Sequence, residues 1–136
     1  MGQQQLLLLV FSIVIVAVAV MSGMEAFTRK SQQSEVDSLI GRNLSIAAEA
    51  VFWKTKRDPY AGGNAKYSGL ATDGMQKLFL GETTPIGSFI IAAPDDDHLE
   101  ITAVSRRYPE IGVRTFVYNY SIDSTAVAHD GSITID

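Results

Sequence analysis

Residues 6–21 read LLLLVFSIVIVAVAVM, and Ser12 is the only polar residue among the sixteen. Wound as a helix, the run is apolar on every face and shows no 3.6-residue stripe, so it needs apolar surroundings on all sides. Extended back to Gln3 and on through Ser22, Gly23 and Met24, the uncharged segment reaches 22 residues before Glu25. At about 1.5 Å per residue that is roughly 33 Å, close to the hydrocarbon thickness of a bilayer. The valines and isoleucines would also suit a buried strand, but sixteen residues is too long for one in a small domain. Residues 1–24 therefore read as a hydrophobic N-terminal helix, either a membrane anchor or the core of a helix bundle. Its contact surface is Leu6, Leu7, Leu8, Leu9, Val10, Phe11, Ile13, Val14, Ile15, Val16, Val18, Val20 and Met21. A cleaved secretory leader is the alternative. Ala17-Val18-Ala19 has the small residues of a cleavage site, whereas Met1-Gly2-Gln3-Gln4-Gln5 lacks the positive charge that orients such leaders.

The helical pattern outlasts the apolar run. No proline occurs between Glu25 and Arg57, and apolar residues recur at Phe27, Val36, Leu39, Ile40, Leu44, Ala47, Ala50 and Val51. After one polar gap their spacings are mostly three and four. Arg29, Lys30, Gln32, Gln33, Glu35, Asp37, Arg42 and Glu49 fall between them and face outward on that register. Residues 25–57 are thus predicted as an amphipathic continuation whose stripe packs on a globular domain. Lys54, Lys56 and Arg57 crowd the last turn, where cations complement the helix dipole, and Asp58-Pro59 ends it. A helix over about residues 3–57 would span roughly 80 Å, so the rod is expected to protrude from so small a protein. Gly23, near the junction of the two halves, is the expected weak point.

Residues 58–136 are predicted as a globular β-sheet domain that begins with a glycine-rich linking loop. Pro59-Tyr60-Ala61-Gly62-Gly63-Asn64 is turn-rich, and Gly69, Gly74, Gly81 and Pro85 punctuate the next twenty or so residues. Asp73 to Leu80 has room for one or two helical turns, with Met75, Leu78 and Phe79 facing inward. Strand signals then recur at Ser88–Ala93, Leu99–Val104 and Val113–Tyr120, and a last hairpin is expected from 126–128 and 132–135 around His129-Asp130-Gly131. The connectors, including Asp123-Ser124, are short, which implies antiparallel neighbours. The fold class is α+β: a long N-terminal helix, hydrophobic then amphipathic, packed on a four-stranded antiparallel sheet. The helix–sheet core is predicted from Val36, Leu39, Ile40, Ala47, Phe52, Trp53, Phe89 and Phe116.

Chemistry-bearing patterns are sparse. Eleven basic and fifteen acidic residues leave a formal charge of −4, against the basic stripe of a nucleic-acid binder. All of these charges lie at or beyond Glu25. With no cysteine and two histidines, His98 and His129, thiolate catalysis is excluded and a histidine-based metal site is improbable. Asp95-Asp96-Asp97 with Glu100 lacks the alternating spacing of a dedicated calcium loop and reads as a solvated turn. Asn43-Leu44-Ser45 and Asn119-Tyr120-Ser121 match the glycosylation sequon. Phe116, Tyr118 and Tyr120 alternate along a strand and share a face, for core or inter-subunit packing. No enzymatic activity, cofactor or metal is expected.

The short polar start, the apolar helix, its amphipathic continuation, the glycine-rich loop and the antiparallel sheet together resemble a type IV pilin. The opening Gly2-Gln3-Gln4-Gln5-Leu6-Leu7-Leu8-Leu9-Val10 is also similar to the glycine-then-glutamine junction at which archaeal-type pilins are processed. The likeness covers the whole chain in architecture, while its specific motif is confined to about the first twenty residues. Bacterial members usually carry a glutamate at the fifth mature position. Here that position is Gln5 counted from Met1, or Leu7 counted after Gly2, and neither is charged. Gln3, Gln4 and Gln5 are left to hydrogen-bond between subunits. The resemblance implies a homopolymeric filament at the cell surface, used for adhesion or motility, with N-terminal helices bundled at its centre and sheets outward. It also implies an inner-membrane anchor before assembly, and a prepilin-type peptidase and pilus assembly machinery as partners. The alternative expectation is a minor pseudopilin or a single-pass membrane-anchored interaction module of a secretion system.

Bundling also follows from physical chemistry. At about 25 cal/mol per Å² and roughly 100 Å² per large side chain, sheltering the thirteen such residues of the run contributes tens of kcal/mol before ordering costs. Ala17, Ala19, Ser22 and Gly23 allow helices to approach closely along part of the length. Contacts made with different faces of each helix are heterologous and propagate without closing.

Overall fold

In a computed structural model, which describes residues 2–57 and 62–135, helix α1 runs Gly2–Thr55 for 54 residues. Both halves of the predicted helix belong to it, and it passes unbroken through Gly23. The Asp58-Pro59 stop and the start of the turn-rich segment fall outside the described residues. The chain divides into two units, Met1–Ser34 and Glu35–Asp136. In the first unit the described residues are helical throughout.

The second unit contains the end of α1, a 3-10 turn at Ser68–Leu70, α2 (Gly74–Lys77) and four strands. These are β1 (Gly87–Ala92), β2 (His98–Ser105), β3 (Gly112–Tyr118) and β4 (Ser121–Ala128), antiparallel in the order β1-β2-β3-β4. Pairing sets Phe89 opposite Ala103 and Ile91 opposite Ile101. It likewise sets Leu99 opposite Val117 and Ala103 opposite Val113. These side chains share one sheet face, because alternate residues of a strand point the same way. Against them α1 turns Val36, Leu39, Asn43, Ile46, Ala47, Ala50, Trp53 and Lys54, a stripe at helical spacing. Tyr67, Leu70, Met75, Leu78 and Ile111 complete the core. Ser105 Oγ donates to Glu35 Oε1 at 2.8 Å, which ties β2 to the start of the stripe.

The predicted core residues Val36, Leu39, Ala47, Trp53 and Phe89 are buried, and Ile40 packs half-buried at the margin. Phe52 and Phe116 correct the prediction. Phe52 is 59 % exposed. One residue is 100° of helix, so the turn that buries Ala50, Trp53 and Lys54 carries Phe52 away. Phe116 has the opposite strand parity to buried Val113, Thr115 and Val117, so it lies half-buried on the outer face beside Arg114 and Tyr118. Leu44 is also exposed, and Asn43 and Ile46 take the inward positions. Met75 and Leu78 are buried as expected, but Phe79 is 96 % exposed and sits at φ 58°. At the end of α2 the chain turns left-handed there, which carries the ring outward.

The fourth strand also differs from the expected arrangement. β4 begins at Ser121 and includes Asp123 and Ser124, and no strand is assigned over 132–135. Tyr118 pairs with Ser121, so Asn119 and Tyr120 form a two-residue turn with Asn119 at φ 57°. Two-residue hairpin turns need such a backbone, and asparagine tolerates it better than most residues. A register shift between Phe116 and Val117 accommodates the extra residue of β4. Gly63 and Gly69 let the loop close on α1. A Cβ on either would stand 2.6 Å from the Trp53 ring.

Candidate functional site

Two features concentrate the unusual physical chemistry of this chain, one in each unit. The first is the apolar surface of α1. From Leu6 to Met21 every large apolar side chain is 53–70 % exposed, and none of the apolar window is buried. The helix is long and apolar enough to cross a membrane. Its backbone polar groups are bonded within the helix, as a lipid environment requires. The one polar side chain of the run behaves likewise, since Ser12 Oγ donates to the Leu8 carbonyl at 2.8 Å. Gln3, Gln4 and Gln5 are exposed ahead of the run. Glu25 and Arg29 pair on the first charged turn beyond it.

The second feature, at one end of the sheet, collects side chains from four separate stretches. Lys54, on the last turn of α1, is 1 % exposed. Its Nζ donates to Asp97 Oδ1 and to Asn119 Oδ1, each at 3.2 Å. It also stands over two rings, 4.4 Å from the centre of Tyr67 and 4.8 Å from that of Tyr120. The Tyr67 hydroxyl donates to the Asn119 carbonyl at 2.5 Å, and the Asn119 N–H donates to the Asp97 carbonyl at 2.7 Å. The β1–β2 turn, the β3–β4 turn, the glycine-rich loop and the helix end thus meet around one ammonium. Each ring face attracts the cation, and the carboxylate and amide oxygens satisfy its protons.

Polarity alone puts Lys54 on an exposed last turn, and the sequence gives Tyr67 no role and Asn119 none beyond the sequon. The signal that could have found the cluster is spacing, because Lys54 lies four residues after Ala50 on the inward stripe. Asn43 is another buried polar residue of α1. Its Nδ2 donates to Thr115 Oγ1 at 3.2 Å, while its Oδ1 is buried without a hydrogen-bond partner. A fully buried Asn43 is closed to glycosylation in the folded chain. In the Asp95-Asp96-Asp97 turn, Asp95 accepts from the backbone N–H groups of Asp97 and His98 and meets His98 Nδ1 at 2.6 Å. Its oxygens hold the turn together, and the Asp97 amide in particular keeps its carboxyl below the usual range.

Burial, with Tyr120 and Asp97 nearby, pushes the Tyr67 phenol up from 10.0 to about 12. Between those values the unfolded chain has lost this proton and the folded chain keeps it, so stability falls as pH rises. The decline should amount to about 2–3 kcal/mol, read as a falling denaturant midpoint. A midpoint that is flat across that range would contradict the burial of this ring.

The chain was also compared with known proteins. No family model, no curated protein and no solved structure matches it.

Proposed function

We propose that this chain is the structural subunit of an extracellular, type IV pilus-like filament, polymerised by bundling its apolar N-terminal helices. The observation that carries this reading is the exposure of every large apolar side chain from Leu6 to Met21. So large an apolar surface persists only against lipid or against other protein. Lipid shelters the helix before assembly, and sister helices shelter it afterwards. The resemblance at Gly2-Gln3-Gln4-Gln5 supports the choice of filament over permanent anchor, and brings with it an inner-membrane stage, a prepilin-type peptidase and an assembly machinery. The role is structural rather than catalytic, and the filament serves adhesion or motility at the cell surface.

Negative-stain microscopy of material sheared from cells producing the chain tests the proposal. Abundant uniform fibres that contain this chain are expected. Recovery of the chain only from membranes, as isolated copies, would replace the filament reading with a single-pass anchored module. Mass spectrometry of the mature N-terminus adds the position at which the helix begins.

A further inference from the structure

We propose that Lys54 and Asn119 become joined by an intramolecular amide bond, formed by the folded chain itself with Asp97 as the proton carrier. The inference is independent of the filament reading. It starts from an amine nearly removed from water whose two oxygen neighbours are a carboxylate and a carboxamide, each 3.2 Å away. The amide carbon is one bond beyond the oxygen that Nζ already touches. Such proximity is the main requirement for an otherwise slow acyl transfer.

The resting state is the ammonium–carboxylate pair. In the reactive state the proton has crossed from Nζ to Asp97, leaving a neutral amine beside a carboxylic acid. The Nζ lone pair then attacks Asn119 Cγ, and the C=O electrons move onto Oδ1. Asp97 protonates the departing amide nitrogen and accepts the proton that Nζ sheds. As the carbonyl reforms, the Cγ–Nδ2 bond breaks and ammonia leaves. One C–N bond replaces another, nothing is oxidised or reduced, and no co-reactant is consumed. Asp97 is 59 % exposed, so the ammonia has a way out to solvent. The rings of Tyr67 and Tyr120 keep Nζ from turning away.

The bond would link the end of α1 to the β3–β4 turn across 65 residues. Tension applied along the helix would then pass into the sheet through a covalent tie instead of through packing alone.

The test is peptide mapping of the full chain, purified folded in detergent micelles and then denatured and digested. The expected result is one branched peptide that contains Lys54 and Asn119 and is lighter than its two parts together by one ammonia, about 17 Da. Asn119→Ala and Asp97→Asn should each yield the two peptides unjoined. The wild-type chain should also run faster than either variant on a denaturing gel, because the closed loop makes it more compact. Separate wild-type peptides at full mass would overturn the proposal and leave the cluster a non-covalent clamp. A branched peptide from Asp97→Asn would overturn the role given to Asp97. Loss of one ammonia from the whole chain without a branched peptide, as when an N-terminal glutamine cyclises, counts against the proposal. The wild-type result decides by itself, so a variant that fails to fold does not shelter the idea.

Discussion

Replacing Val14 by lysine is expected to weaken membrane anchoring and to abolish the proposed filament. Val14 lies near the middle of the 6–21 run and is 53 % exposed, so the new charge would sit where no polar partner waits. In a bilayer centre a lysine costs about 3 kcal/mol or more, and in a bundle of apolar helices it leaves a charge unpaired in a low-dielectric interior. In a polymer the same charge recurs in every subunit, so the penalty multiplies along the fibre. Membrane fractionation and microscopy of sheared surface material measure the two losses. Val14→Leu serves as the control that keeps apolar character. Normal fibres from the lysine variant would sink the idea that these helices pack together in an apolar core.

The second large effect concerns Phe89, fully buried on β1 beneath the helix. Phe89→Ala should destabilise the second unit by about 4 kcal/mol, the sum of lost transfer energy and a residual cavity. Phe116→Ala, on the outer face and only half-buried, should cost about 1 kcal/mol, and Phe52→Ala less than that. Chemical denaturation followed by near-ultraviolet circular dichroism ranks the three. Equal losses at Phe89 and Phe116 would mean that the sheet presents its other face to the helix.

How much of this is legible in the sequence differs from element to element, for identifiable reasons. The apolar helix is plain because its composition allows no other arrangement. The amphipathic half is readable from Val36, Leu39, Ala47 and Ala50, whose spacing closes only as a helix. Its phase is harder to read at Phe52-Trp53, where two adjacent aromatics compete for one inward position. The tie is broken by Lys54, which reasoning from polarity alone places outside. On β3, Val113 and Val117 compete with Phe116 and Tyr118 for the core. The deciding residue is Thr115, a polar side chain drawn inward with them and hydrogen-bonded to Asn43. β4 escapes a reading by turn residues because Asn119-Tyr120 contains no glycine to announce a turn, while His129-Asp130-Gly131 does. As for function, an apolar surface can be recognised from a linear string, but four stretches converging on one amine cannot. Nothing local ties Lys54 to Asp97 or Asn119.

Position 119 answers to two masters. Its backbone must accept the left-handed geometry at φ 57°, and its side chain must hold a carbonyl against Lys54. Glycine would relax the first demand and abandon the second. Glutamine would retain the functional group but fit the bend poorly and overshoot the amine. Asparagine meets both, so variation there should be far narrower than at Tyr120 one step along, even though both side chains lie at the surface.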